Sequence, residues 1–201
     1  MKIKHFFLKD AFLAGFIITF FLVLSASCAT KPAVKETRIG VYLTDRSRFF
    51  LLPPDGIEKP LDMAQFLSIS YRGMNFFCNA WVYADKNGMD IVMFNDLGAS
   101  MAELSYKNGS VDYSSGVLPQ ALKPEYIIAD FQLCFYDPLL LSRALEECSL
   151  FFEAQDHFRR IYMRSGIRGR KLIIEITKTP GVIKIENHLR GYAYTLEGDF
   201  E

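Results

Sequence analysis

Residues 89–109 read MDIVMFNDLGASMAELSYKNG. Segments 89–95 and 100–107 are rich in alternating, aromatic and β-branched residues, the texture of half-buried strands. Asp96-Leu97-Gly98 separates them, and Asn108-Gly109 closes the stretch. Asn-Gly is the strongest short hairpin signal, because a type I′ turn needs positive φ at both central residues and these two tolerate it. Strands joined by turns this short are antiparallel neighbours. Working backward, 65–72 and 75–84 have the same texture, with Arg72-Gly73 and Lys86-Asn87-Gly88 as breaks. Residues 49–61 hold Pro53, Pro54, Gly56 and Pro60 and read as a loop, and 38–44 as a short strand.

Working forward, the period changes. Ile127, Ile128, Phe131 and Phe135 recur at helical spacing within 125–136, and Pro124 suits a first helical residue. Asp137-Pro138 stops that helix and caps a second over 139–147, with Leu141, Ala144, Leu145 and Cys148 on one side. After Ser149 the strand alternation returns and runs to Leu196. The expectation is a mainly β, α+β chain of about eight to ten strands with a helical pair inserted mid-chain. An antiparallel sheet of that length needs cover on its concave face, which the apolar helices can supply.

The N-terminus has a different character. Lys2, Lys4 and Lys9 precede an uncharged run from Ala11 to Thr30, and Ser25-Ala26-Ser27 place small residues before Cys28. Charged head, apolar middle and small-residue exit are the layout of an export signal. A Cys directly after the exit points to a lipoprotein signal, with the Cys28 thiol acylated as the first mature residue. Ser25 stands where such signals usually carry Leu, so the match is relaxed. An uncleaved anchor and ordinary secretion are the alternatives, since about 20 uncharged residues can just span a bilayer. The expected organisation is a signal over 1–27, a tether over 28–37 and one domain over 38–201. The signal would remove three Lys and Asp10, leaving a mildly acidic mature chain in the cell envelope, outside the cytoplasm.

Composition narrows the function classes. The chain has 201 residues, 23 basic against 23 acidic, with 50% hydrophobic and 14% aromatic residues. Disorder is excluded by the apolar content, and zero net charge argues against a general basic field for nucleic acid. The mature chain keeps Cys78, Cys134 and Cys148, without a CxxC spacing, and two histidines, His157 and His188. No metal or cofactor is expected. Buried, inert thiols are the better reading, although a Cys134–Cys148 bridge stays open. GxSxG, HExxH, GxGxxG and phosphate-loop motifs are all missing from the sequence. Asp90, Asp130 and Glu175 are carboxylates that nothing in sequence pairs, so an enzyme is not expected. Arg159, Arg160, Arg164, Arg168, Arg170 and Lys171 form a basic run around Gly166 and Gly169, read as a solvated hairpin or a contact for anionic lipid headgroups.

One resemblance adds to this. Met93-Phe94-Asn95-Asp96-Leu97-Gly98-Ala99-Ser100, followed by a strand, Asn108-Gly109 and an apolar helix, resembles the LolB-type outer-membrane lipoprotein receptors. Ile128-Ala129-Asp130-Phe131-Gln132-Leu133-Cys134-Phe135-Tyr136, with 183–187 and Gly191-Tyr192, is similar to an uncharacterised bacterial lipoprotein family thought related to the LolA/LolB fold. Together these cover roughly 62–198. The resemblance implies a curved antiparallel half-barrel enclosing a helical lid over an apolar cavity for acyl chains. It implies a monomer at the outer membrane, facing the periplasm, whose partner is membrane lipid or an acylated lipoprotein, and no nucleic acid. Leu97 stands at the position of a leucine that meets the membrane on a projecting loop, with Asp96 where those receptors often carry Pro. Folding back of Leu97 into the core is the alternative. Phe76, Trp81, Phe94, Phe131 and Tyr162 are the expected cavity lining. Asp130 and Gln132 serve either the family's unknown chemistry or backbone groups at the sheet–helix junction. The leading function is thus a lipid or lipoprotein binding factor, and the runner-up an accessory structural lipoprotein without a cavity.

Overall fold

A computed structural model describes residues 38–71, 73–116, 123–167 and 169–200. The signal, the tether and Cys28 lie outside the described residues. A small antiparallel pair, β1 (Gly40–Tyr42) and β2 (Arg48–Phe50), and a 3₁₀ turn at Pro54–Gly56 come first. A meander follows: β3 (Leu61–Tyr71), β4 (Met74–Asp85), β5 (Gly88–Phe94), β6 (Ser100–Lys107) and β7 (Ser110–Ser115). Helices α1 (Pro124–Phe135) and α2 (Pro138–Glu147) lead to a second meander. That comprises β8 (Leu150–Gln155), β9 (Phe158–Ser165), β10 (Gly169–Thr179), β11 (Val182–Asn187) and β12 (Tyr192–Gly198).

The two meanders form one ten-stranded antiparallel sheet, ordered β7-β6-β5-β4-β3-β12-β11-β10-β9-β8. Their seam is β12 against β3, with Tyr192 opposite Tyr71. The sheet stays open, with β7 and β8 as its edges, and the helices carry the chain from one edge to the other. Mainly β with two inserted helices is therefore the class, as the alternation implied. The segment read as a loop over 49–61 instead begins with the last two residues of β2, a strand too short to show any period.

Local chemistry places the turns. Asn108 and Gly109 both take positive φ, 52° and 73°, as the Asn-Gly turn demands. Asp137 caps α2, its carboxylate accepting from the Leu139 and Leu140 amides at 2.9 and 3.0 Å.

The core lies on one face of the sheet. In β4, Cys78, Ala80, Val82 and Ala84 are buried while Phe77, Trp81 and Tyr83 are exposed, the period-2 pattern of a strand with one covered face. The helices differ in depth. In α2 only Leu141 and Leu145 are buried, one stripe of an amphipathic helix. In α1 every residue from Ile128 to Phe135 is buried, all the way round the helix. A helix so enclosed has its polar residues enclosed with it.

Candidate functional site

Asp130 and Gln132 are those enclosed residues, and each needs partners where water cannot supply them. The Gln132 amide pairs with the backbone of Leu52, accepting from its N–H at 2.9 Å and donating to its carbonyl at 2.8 Å. The Tyr106 hydroxyl donates to the same carbonyl at 2.9 Å. Gln132 therefore does for an irregular segment what a neighbouring strand would do.

Asp130 turns toward the sheet seam. The Tyr192 hydroxyl donates to its carboxyl, 3.0 Å from each oxygen, and Tyr194 also hydrogen-bonds to it. Burial raises the Asp130 pKa to about 7, against the lowering pull of Tyr192, of the Arg190 charge and of Tyr194. Burial, then the Asp130 charge, raises both tyrosines well above their ordinary range, so they remain hydroxyl donors. Asp130 itself is only 3% exposed. The cluster ties α1 to β12 around a carboxyl that is itself shut off from solvent.

Two arginines hold the ends of α1. Arg159 Nη1 donates to the Leu133 and Tyr136 carbonyls at 3.0 and 2.8 Å, where the helix leaves carbonyls unpaired. Its Nη2 forms a 2.7 Å ion pair with Glu58. Arg159 was expected in a solvated hairpin, yet it is 3% exposed, because β9 alternation turns it inward with Ile161. At the other end Arg190 lies over the Tyr126 ring at 4.8 Å and hydrogen-bonds to the Tyr42 carbonyl.

The Leu97 turn points outward. Asn95 Oδ1 accepts from the Leu97 and Ala99 amides at 3.0 and 2.9 Å, and the Asn95 amide donates to the Ala99 carbonyl at 3.0 Å. Gly98 sits at φ 79° with no atom near its Cβ position. The Asn95 side chain thus organises the turn without a proline, and Leu97 is 92% exposed.

The expected cavity residues divide between two faces. Phe131 is in the core and Phe76 packs against it. Trp81, 47% exposed, lies on the opposite face, as its buried neighbours Ala80 and Val82 require. Phe94 follows the buried Met93 in β5 and is half-buried outside the core. Tyr162 alternates outward in β9, its hydroxyl donating to Glu153 at 2.9 Å. These three placements correct the expectation, and the missed signal was strand parity: small apolar Cys78, Ala80 and Ala84 already marked the inner positions of β4.

The remaining candidates do not converge. His157 and His188 sit at turns on opposite rims of the sheet. Asp90 pairs with Lys107 at 2.8 Å and Glu175 with Arg160 at 2.6 Å. Cys78, Cys134 and Cys148 are free thiols, so the bridge left open in sequence is not formed. Burial pushes Cys78 up to about 11 and Cys134 up to about 12, which keeps both unreactive. No group of three metal-ligating side chains occurs among the described residues, and none of their helices is long and apolar enough to cross a membrane.

Residues 62–198, more than half of the chain, match the family model described as protein of unknown function (DUF3261). No curated protein matches the chain.

Proposed function

This chain belongs to the DUF3261 family, and from that premise we propose that it is an envelope lipoprotein, anchored through Cys28, that receives a hydrophobic or acylated ligand and aids its placement in the outer membrane. One observation carries the reading: Leu97, 92% exposed on a self-bonded turn. An exposed Leu forgoes about 1.5–3 kcal/mol of burial, so a turn built to display one favours an apolar environment supplied from outside, an acyl chain or a bilayer. The open sheet around a buried helix is compatible with a LolA/LolB-like half-barrel whose helices form the lid, with Phe76 and Phe131 on its inner side. Binding is favoured over catalysis by the enclosure of Asp130, the most perturbed carboxyl.

The test is lipid extraction and mass spectrometry of the full chain purified from membranes. A stoichiometric acyl lipid beyond the N-terminal anchor supports the reading, and its absence removes the ligand. Cys28→Ser should abolish labelling by a fatty-acid probe, and unchanged labelling would reject the anchor. A second reading, an accessory structural lipoprotein without a ligand cavity, is favoured by the packing between helices and sheet, where Ile128, Leu133, Leu141 and Leu145 are fully buried. A chain free of ligand but still labelled at Cys28 would select it.

A further inference from the structure

The strand order sends the turns to two rims. β3, β5, β7, β9 and β11 run one way and their antiparallel partners the other. The β3–β4, β5–β6, β9–β10 and β11–β12 turns therefore share one rim, and the β4–β5, β6–β7, β8–β9 and β10–β11 turns the opposite one. Each turn of the first rim displays a large apolar side chain: Met74 (66% exposed) beside Tyr71, Leu97, Ile167 (97%) and Leu189. None of the exposed large apolar side chains falls in the turns of the opposite rim, which are Lys86-Asn87, Asn108-Gly109, Asp156-His157 and Pro180-Gly181. A single exposed Leu is ordinary; one at every turn of one rim is a patterned surface.

Charge distinguishes the first rim as well. β10 pairs with β11 only as far as Ile174 opposite Asn187, whereas β9 and β10 continue to Ser165 opposite Gly169. The β9–β10 hairpin thus projects beyond its β11 neighbour as an arm with Ile167 at the tip and Arg164, Arg170 and Lys171 on its strands. Arg190, next to Leu189, is held instead by the Tyr126 ring and the Tyr42 carbonyl. Glu146 and Arg164 line the same depression, and Asp96 lies beside Leu97. Arg170, which lies over the Phe151 ring at 4.2 Å, and Lys171 are both exposed. The stagger runs the same way on the far side, where β5 ends at Phe94 opposite Asn79, short of the β3–β4 turn at Tyr71 and Met74. The β3–β4 and β11–β12 turns between these two steps end level with each other, so the line of turns runs oblique to the strands.

We propose that this rim is a docking surface for a bilayer with anionic headgroups: Leu97, Met74, Ile167 and Leu189 enter the interfacial layer while Arg170 and Lys171 meet the headgroups. Apolar tips flanked by cations are the chemistry of interfacial binding, in which buried apolar area and attraction to anionic lipid add. The tether supports this occupant. Cys28 and Arg38 stand ten positions apart, a chain length that at full extension spans about 35 Å, so an anchored domain stays within reach of the surface. The inference rests on the membrane-anchored reading above but not on any ligand.

The chain has one tryptophan, Trp81, so in a Trp81→Phe background a single Trp reports position. The full chain is reconstituted into phosphatidylcholine vesicles with and without phosphatidylglycerol, their acyl chains brominated to quench Trp. Leu97→Trp and Ile167→Trp should lose most of their emission in the anionic vesicles and much less in the neutral ones. Lys86→Trp and Asp156→Trp, on the opposite rim, should keep theirs. Arg170→Glu with Lys171→Glu should cut the quenching at position 167. Equal quenching of the two rims, unquenched Leu97→Trp and Ile167→Trp, or quenching indifferent to anionic lipid each overturns the proposal. All four Trp positions are exposed, so unfolding does not confound them, and far-UV circular dichroism checks each variant. A chain that carries no extractable ligand yet shows one-rim quenching loses the ligand reading and keeps the rim, and the reverse result separates them the other way.

Discussion

The surroundings of α1 and the turns of the apolar rim break the same rule in opposite directions. Around α1 polar side chains lie where water is excluded, and at the rim apolar side chains lie in water. The first departure is answered inside the chain: Asp130, Gln132 and Arg159 each have named partners at hydrogen-bond distance. The second is not, since Leu97 and Ile167 are almost wholly exposed. A buried polar group without partners costs stability, and around α1 the fold supplies those partners, although Gln65 Nε2 and the Tyr113 hydroxyl elsewhere go without. An exposed Leu adds little cost to the folded state, so the fold can leave it for something else to cover.

That contrast sets an order of expected effects. The largest concerns Asp130. With a folded pKa of about 7 against an ordinary 3.8, the folded state holds a proton that the unfolded chain releases across that window. Stability from this group is present at low pH and is lost as pH rises through 7, at up to about 1.4 kcal/mol per pH unit, or about 4 kcal/mol in all. Urea melts from pH 4 to pH 8 should show the fall in the parent chain and a flatter profile in Asp130→Asn. Equal slopes would mean that Asp130 is ionised in place and the clamp is electrostatic. Next is Arg159→Met, which strands the Leu133 and Tyr136 carbonyls and Glu58. A loss of about 3 kcal/mol in urea is expected, and a loss under about 1 kcal/mol would show that the α1 terminus finds other partners. Gln132→Leu leaves the Leu52 N–H unpaired while Tyr106 still serves its carbonyl, so about 2 kcal/mol is expected. The smallest effect belongs to the rim, where Leu97→Glu should shift the urea midpoint by less than about 0.5 kcal/mol. Global unfolding of that variant would place Leu97 in the core and erase the contrast.

Legibility in the sequence followed the range of the interactions. The strand expected over 100–107 is β6 itself, because its alternation and the Asn108-Gly109 turn are set by adjacent residues. The helices were equally open to reading, with Pro124 at the start of α1 and Asp137 capping α2. Strand parity competes with residue type: the size and aromaticity of Trp81 point to the interior, whereas its neighbours Ala80 and Val82 hold the inner positions. Arg159 shows the same competition, a charge in a basic run that lies on the covered face. In the candidate site, Asp130 and Gln132 stood out as a motif, but Leu52 and Tyr192 could not be identified as their partners.

By itself, the sequence determined the mainly β class, the helical pair, most turns, and the Leu97 turn with its glycine, since each depends on conformational preferences and periodicities that act within a few residues. Only the tertiary structure decided that β12 closes against β3, that Arg159 reaches Glu58, and that the apolar turns gather on one rim. Those outcomes depend on strand order and on burial, which join residues as far apart as Glu58 and Arg159. The physical reason is that a hydrogen bond between distant segments, or an exposed face, has no local code: it exists only once folding has removed water from one side of the chain and left it on the other.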